Sequence, residues 1–199
     1  MNEQWGWKTT CLSAVLTLML LLGSGTPVRA DVYECIGEGH PSTVDDLRVP
    51  AGETCTLRGT QVEGNVDVED DGTLQAYAVR VDGNIYSQGG SLINVYQNSH
   101  VGGNVQAENV GQVRVYPGTF VGGSIQVVDS GGATVDGVEV DGDILFDTND
   151  RTLVARDNTV GGNLQVFQNS DGGLTLTGNT IDGDLQANQN VGGLSITFN

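Results

Sequence analysis

An all-β, single-stranded parallel β-helix (a β-solenoid) is the fold this 199-residue sequence predicts, and three observations predict it. Glycine followed by Asn, Asp or Ser and then an aliphatic residue recurs as "GNV" 64, "GNI" 83, "GNV" 103, "GSI" 123, "GDI" 142, "GNL" 162 and "GDL" 183, at spacings of 19, 20, 20, 19, 20 and 21. Around these motifs, aliphatic and polar residues alternate with period two over four to five positions, which is strand patterning. Between the alternating runs Gly, Asn, Asp and Ser cluster, which is turn chemistry. Helical periodicity is absent from residue 31 onward. A fixed period near twenty built of short strands and Gly/Asx corners implies stacked coils, with equivalent residues forming ladders down the axis. A β-sandwich would supply hairpin turns but no reason for one unit to copy the next.

Along the chain, residues 1–30 come first. "MNEQWGWK" carries one Lys, "CLSAVLTLMLLLG" is a short apolar run, and "VRA" offers the residues a signal peptidase reads, so residues 1–30 are a secretory signal cleaved after Ala30. The apolar run is shorter than the ~20 residues that span a bilayer, so no membrane insertion is expected after cleavage. Without Lys8, Arg29 and Glu3 the chain keeps six Arg against twenty-four carboxylates, a net charge of −18. That excludes a nucleic-acid partner, which requires a basic surface, and docking on anionic lipid. The destination is periplasmic, cell-surface or extracellular.

Residues 31–60 break the period and form an amino-terminal cap. An even count of cysteines in an exported chain, Cys35 and Cys55, implies a disulfide. Closing that loop contributes about 3 kcal/mol by restricting the unfolded chain. Neither CxxC nor Cys/His spacing occurs, and no metal or cofactor is expected.

Residues 61–199 hold about seven coils, and right-handed winding is expected. Two residues before each motif glycine stands an aliphatic, Val62, Val81, Val101, Val121, Val140, Val160 or Ile181, and two after it another, from Val66 to Leu185. Halfway round, a second alternating run appears, as in "TLQAY" 73–77, "LINVY" 92–96 and "QVRVY" 112–116. The polar corner residues Asn65, Asn84, Asn104, Ser124, Asp143, Asn163 and Asp184 line up as a structural ladder that hydrogen-bonds backbone, beside glycines that tolerate positive φ. A calcium site is the rival reading of this line, and the GGxGxDxUx nonapeptide that would favour it is absent.

The last units compress, with Ile181 and Val191 only ten residues apart, and the sequence runs out in "VGGLSITFN". Apolar Leu194, Ile196 and Phe198 are therefore a candidate assembly edge for a homo-oligomer, with self-capping by Phe198 as the alternative. On the outer faces, Gln106 and Gln126 stack on one side and Tyr96 and Tyr116 on another. These are candidate contacts for a polysaccharide or a surface protein.

Enzyme chemistry is disfavoured. The carboxylate clusters Glu69, Asp70, Asp71 and Asp147, Asp150 with Arg151 fall in turns where Asp is expected anyway, and His40 and His100 have no nucleophile nearby in sequence. Short coils also leave few long loops to wall a cleft.

The stretch "VPAGETCTLRGTQVEGNVDV", Val49 to Val68, followed by the "VxGNV" and "VGGN(V/L)QV" rungs, resembles a group of exported bacterial glycine-rich parallel β-helix proteins that pair a "VPxGxTCxLxG" start with such repeats. The resemblance spans residues 35–199 and implies the fold without an activity. A looser similarity is to bactofilins, whose β-helix coils share the hydrophobic-x-Gly-polar-hydrophobic corner; it implies polymer formation. This chain departs from bactofilins in its signal, its cysteine pair and its longer period. The expectation is an exported structural or interaction protein, a scaffold able to assemble end to end. A glycan- or surface-protein-binding module is the alternative, and a polysaccharide-active enzyme ranks third.

Overall fold

A computed structural model describes residues 31–38, 41–170 and 172–197. The expected signal 1–30, His40 and Phe198 lie outside the described residues. The described chain is all β and winds as a parallel solenoid of about eight turns. Each turn contributes one strand to each of three sheets. Sheet A has nine strands, from Val32–Glu34 to Leu185–Asn188; sheet B has eight, from Thr54–Arg58 to Leu194–Thr197; sheet C has eight two-residue strands, from Thr43–Val44 to Thr180–Ile181.

The register shows why the repeat must be faithful. Val105 pairs with Ile85 on one side and Ile125 on the other, and Val101 lies between Val81 and Val121. With side chains alternating in and out, one residue of slip would turn an inward row to solvent. The inward rows of all three sheets merge into one buried core that includes Val62, Leu74, Ile125, Phe146 and Leu176. Its volume is balanced coil by coil. The turn that carries Phe146 carries Ala155, and its sheet B neighbour toward the amino terminus has Ala133 in the Leu153 row. Ser87, the polar member of an inward row, is fully buried and donates through Oγ to the Val68 carbonyl at 2.8 Å. The hydroxyl is thereby satisfied inside the core.

Eight turns exceed the seven read from the glycine motif because the first rung lacks the glycine. Val44-Asp45-Asp46-Leu47 is one residue shorter than Val62-Glu63-Gly64-Asn65-Val66, yet Val44 pairs with Val62 and Leu47 with Val66. Residues 43–58 thus carry strands of all three sheets, inside the segment expected to cap the rod. Ahead of them Val32–Glu34 adds the outermost strand of sheet A, and Gly37 bridges to Cys55. At the other end the spacing misleads in a different way. "VGGL" at 191–194 copies the corner motif, yet Leu194 pairs with Leu174 in sheet B, so the last rung is not compressed.

The corner glycines have a reason other than the one expected. None of the seven has a positive φ. A Cβ on Gly103 would lie 2.4 Å from Asn84 Oδ1 and 2.8 Å from the Gly83 carbonyl oxygen. Glycine is required there by the close approach of the preceding coil. Positive φ falls instead at the two other corners: after sheet A on Asn109, Asp129, Thr148, Gln168 and Gln189, and after sheet B on Ala78, Asn98 and Asp157 and on Gly59, Gly118, Gly137 and Gly178.

Candidate functional site

The expected corner ladder is continuous and extends one rung further. Asp46 Oδ1 accepts from the Asn65 backbone N–H at 2.7 Å, Asn65 Oδ1 from Asn84 N–H at 3.0 Å, and Asn84 Oδ1 from Asn104 N–H at 2.8 Å. Asn104 then accepts from Ser124 N–H, Ser124 Oγ from Asp143 N–H, Asp143 from Asn163 N–H, and Asn163 from Asp184 N–H, all between 2.5 and 3.0 Å. Each side chain therefore satisfies the next coil's corner amide rather than backbone of its own bend. Among the described residues no group of three or more His, Cys, Asp or Glu is placed to hold a metal ion.

Two further ladders escaped the sequence reading because they face inward. Asn149 is fully buried: its Oδ1 accepts from Ser130 N–H at 3.0 Å, and its Nδ2 donates to the Val127 carbonyl at 2.9 Å. Asn169 and Asn190 repeat the pattern one and two coils on. Asn158 and Asn179 do the same at the third corner. The available signal was the recurrence of Asn at 149, 169 and 190, one solenoid period apart.

The cysteine pair stands at disulfide-bonding distance, with Cα atoms 5.4 Å apart. Both side chains are buried, and Cys55 heads the inward row that continues with Leu74. The pair thus closes the amino-terminal end of the core.

Gln106 and Gln126 lie on sheet A and Tyr96 and Tyr116 by sheet B, two different faces, as the spacing implied. Gln106 Nε2 donates to Gln126 Oε1 at 3.3 Å, and Gln165 Nε2 to Gln186 Oε1 at 3.2 Å. Beside the first pair, Tyr86, Glu108 and Val128 line a surface depression of about 320 Å3. Toward the amino terminus follows an acidic depression of about 290 Å3 with Asp67, Glu69 and Asp70. Glu69 is 3.3 Å from Arg48 and accepts from the Ala51 N–H, so its carboxylate is engaged structurally. Burial, reinforced by the Glu69 charge, raises the Asp67 carboxyl above its ordinary value, against the opposing pull of Arg48. The other cluster is spread along its bend: Asp150 is 3.9 Å from its neighbour Arg151. His100 stacks on Phe120 at 4.8 Å between centroids.

The sheet B face is more organised than its sequence suggested. Tyr77 joins the expected pair: Tyr77 and Tyr96 stack with centroids 3.9 Å apart, Tyr96 and Tyr116 at 4.8 Å, with planes within 4°. The Arg58 guanidinium covers the free side of Tyr77 at 4.3 Å. Both faces of Tyr77 and Tyr96 and one face of Tyr116 are therefore covered. The hydrogen bond with Tyr77, then burial and the neighbouring phenols, push the Tyr96 hydroxyl up to about 12, against the pull of Arg114. Next to the rings, Gln75 Oε1 accepts from Tyr77 Oη at 3.2 Å, and Asn94 Nδ2 donates to Tyr96 Oη at 3.3 Å.

At the carboxyl-terminal rung, Leu194 and Ile196 are 44% and 37% exposed, whereas their register partners one coil earlier, Leu174 and Leu176, are buried. Val191 is 68% exposed beside them. Comparison with protein-family models, with curated proteins and with solved structures finds no match to this chain.

Proposed function

We propose that this chain is an exported structural protein, a β-solenoid scaffold of the cell envelope or extracellular space that assembles end to end with further copies of itself. The observation that carries the reading is the last described rung. Leu174 and Leu176 are buried because another rung covers them, and Leu194 and Ile196 offer the same inward rows without one. Among the described residues nothing pairs with the outer side of Leu194–Thr197 or Leu185–Asn188. An unpaired strand edge backed by apolar side chains recruits another strand, and a second copy supplies strands of matching spacing. The cysteine pair supports export, because disulfides persist in oxidising compartments.

Sedimentation velocity on the oxidised protein over a wide concentration range tests the assembly. Species that grow with concentration, and that Ile196→Lys returns to monomer, are the expected result. A strict monomer at every concentration overturns it. A second reading, a module that binds glycan along one face, is favoured by the tyrosine row beside sheet B.

A further inference from the structure

The outward positions of sheet B are chemically unlike the rest of this acidic molecule. Over the four strands Thr54–Arg58, Thr73–Tyr77, Leu92–Val95 and Gln112–Val115, with Tyr96 and Tyr116 continuing the last two, no outward side chain is a carboxylate. Three of those twelve positions are the stacked tyrosines and two are arginines, Arg58 and Arg114. In a chain with 25 acidic residues such a gap is a local departure, with Glu38 reaching in from outside the four strands to pair with Arg58 at 3.9 Å.

Two further features belong to the same patch. Arg114 is the one arginine among the described residues without an ion pair; its Nη2 donates to Gln112 Oε1 at 2.5 Å. Asn94, its register neighbour, is only 4% exposed, and its Oδ1 has no hydrogen-bond partner. That buried acceptor costs free energy, and it lies beneath the surface, so the groups that can meet a ligand are Arg114, Gln75 and the phenols around it.

We infer that this face binds an acidic polysaccharide, a hydroxyl-rich chain carrying carboxylates, laid across the rungs beside the tyrosine row. The inference rests on the binding reading and is independent of end-to-end assembly. Arg114 presents a fork of N–H donors suited to a carboxylate. The tyrosine hydroxyls and Gln75 offer further donors and acceptors along the line. Contact is mainly through ring edges and polar groups, since both faces of Tyr77 and Tyr96 and one face of Tyr116 are occupied. An acidic peptide offers the charge but not the row of hydroxyls that the amide and phenol groups match. The acidic charge elsewhere does not prevent such local contact, because at physiological ionic strength charges more than ~8 Å away are largely screened.

Affinity electrophoresis in native gels containing polygalacturonate, neutral dextran or poly-glutamate tests this, with EDTA present so that no divalent ion bridges two anions. Expected are retardation by polygalacturonate alone, an affinity about tenfold weaker for Arg114→Glu, and no change for Ile196→Lys. Retardation by dextran to the same degree overturns the acidic class while leaving the binding reading in place. Retardation by poly-glutamate replaces the glycan with an acidic peptide. Retardation by none of the three, or full affinity in folded Arg114→Glu, overturns the inference, and the absence of retardation by any polymer removes the binding reading with it.

Discussion

Thr148 holds a left-handed backbone at φ 55° on an exposed corner. For a β-branched residue that conformation is strained, whereas Asn adopts it readily. The Thr148 N–H donates to the Phe167 carbonyl at 3.0 Å, a bond that a substitution leaves in place. Thr148→Asn should therefore raise stability by about 0.5–1 kcal/mol, read as a higher urea midpoint with an unchanged slope. Tyr96 gives a second test at this scale. Its phenol ionises at about 12 in the folded chain against 10 ordinarily, so the protonated form is held more tightly when folded. Its stabilising contribution is present below pH 10 and is lost as pH rises from 10 through about 12. A spectrophotometric titration of phenolate should show one late step, absent from Tyr96→Phe.

At the scale of the corner and the strand, the same side chain has different worth on different ladders. Asn104→Ala exposes the Ser124 N–H at a half-buried corner that water can reach, and should cost about 1 kcal/mol. Asn149→Ala strips partners from the Ser130 N–H and the Val127 carbonyl inside the protein, and should cost about 2–4 kcal/mol. Equilibrium unfolding of the two variants side by side checks the order; equal losses would mean that the inner ladder is wetter than its burial implies. The motif glycine belongs to the same element. Gly103→Ala forces a methyl group onto Asn84 Oδ1 and the Gly83 carbonyl, so it should destabilise despite an ordinary φ.

For the whole molecule, each coil touches only its neighbours, so stability is local and additive along the axis. Reducing the Cys35–Cys55 pair should fray the amino-terminal rungs first. Hydrogen exchange should quicken at Leu47 and Leu57 while Val127 and Val166 stay protected, because these inner rungs are held from both sides. Charge acts at the same scale. Copies of a chain with a net charge of −17 repel at low salt, where the Debye length is ~30 Å at 0.01 M, and less at 0.15 M, where it is ~8 Å. End-to-end association should therefore strengthen with added salt, which sedimentation at two ionic strengths reads directly.

The sequence by itself determined the parallel coil stack, because a period of 19 to 21 with aliphatics at fixed offsets is a statement about which residues lie above one another. It also determined the polar corner row from Asn65 to Asp184 and the cysteine pairing, since each follows from spacing or count. The tertiary structure decided what depends on bend geometry and on neighbours across coils. The first rung is hidden in sequence because Asp45-Asp46 replaces the glycine motif, and only pairing with Val62 and Val66 reveals it. Asn149 and Asn158 look like turn residues, and only the direction of the bend turns them inward to bridge two coils. Tyr77 stands nineteen residues before Tyr96, a visible spacing, but its stack with Tyr96 and cover by Arg58 exist only once the register is set. The sheet B face has the same origin. Alternation says which residues point outward, whereas absence of carboxylates over an area is a property of rows from four different coils, and folding alone places those rows side by side.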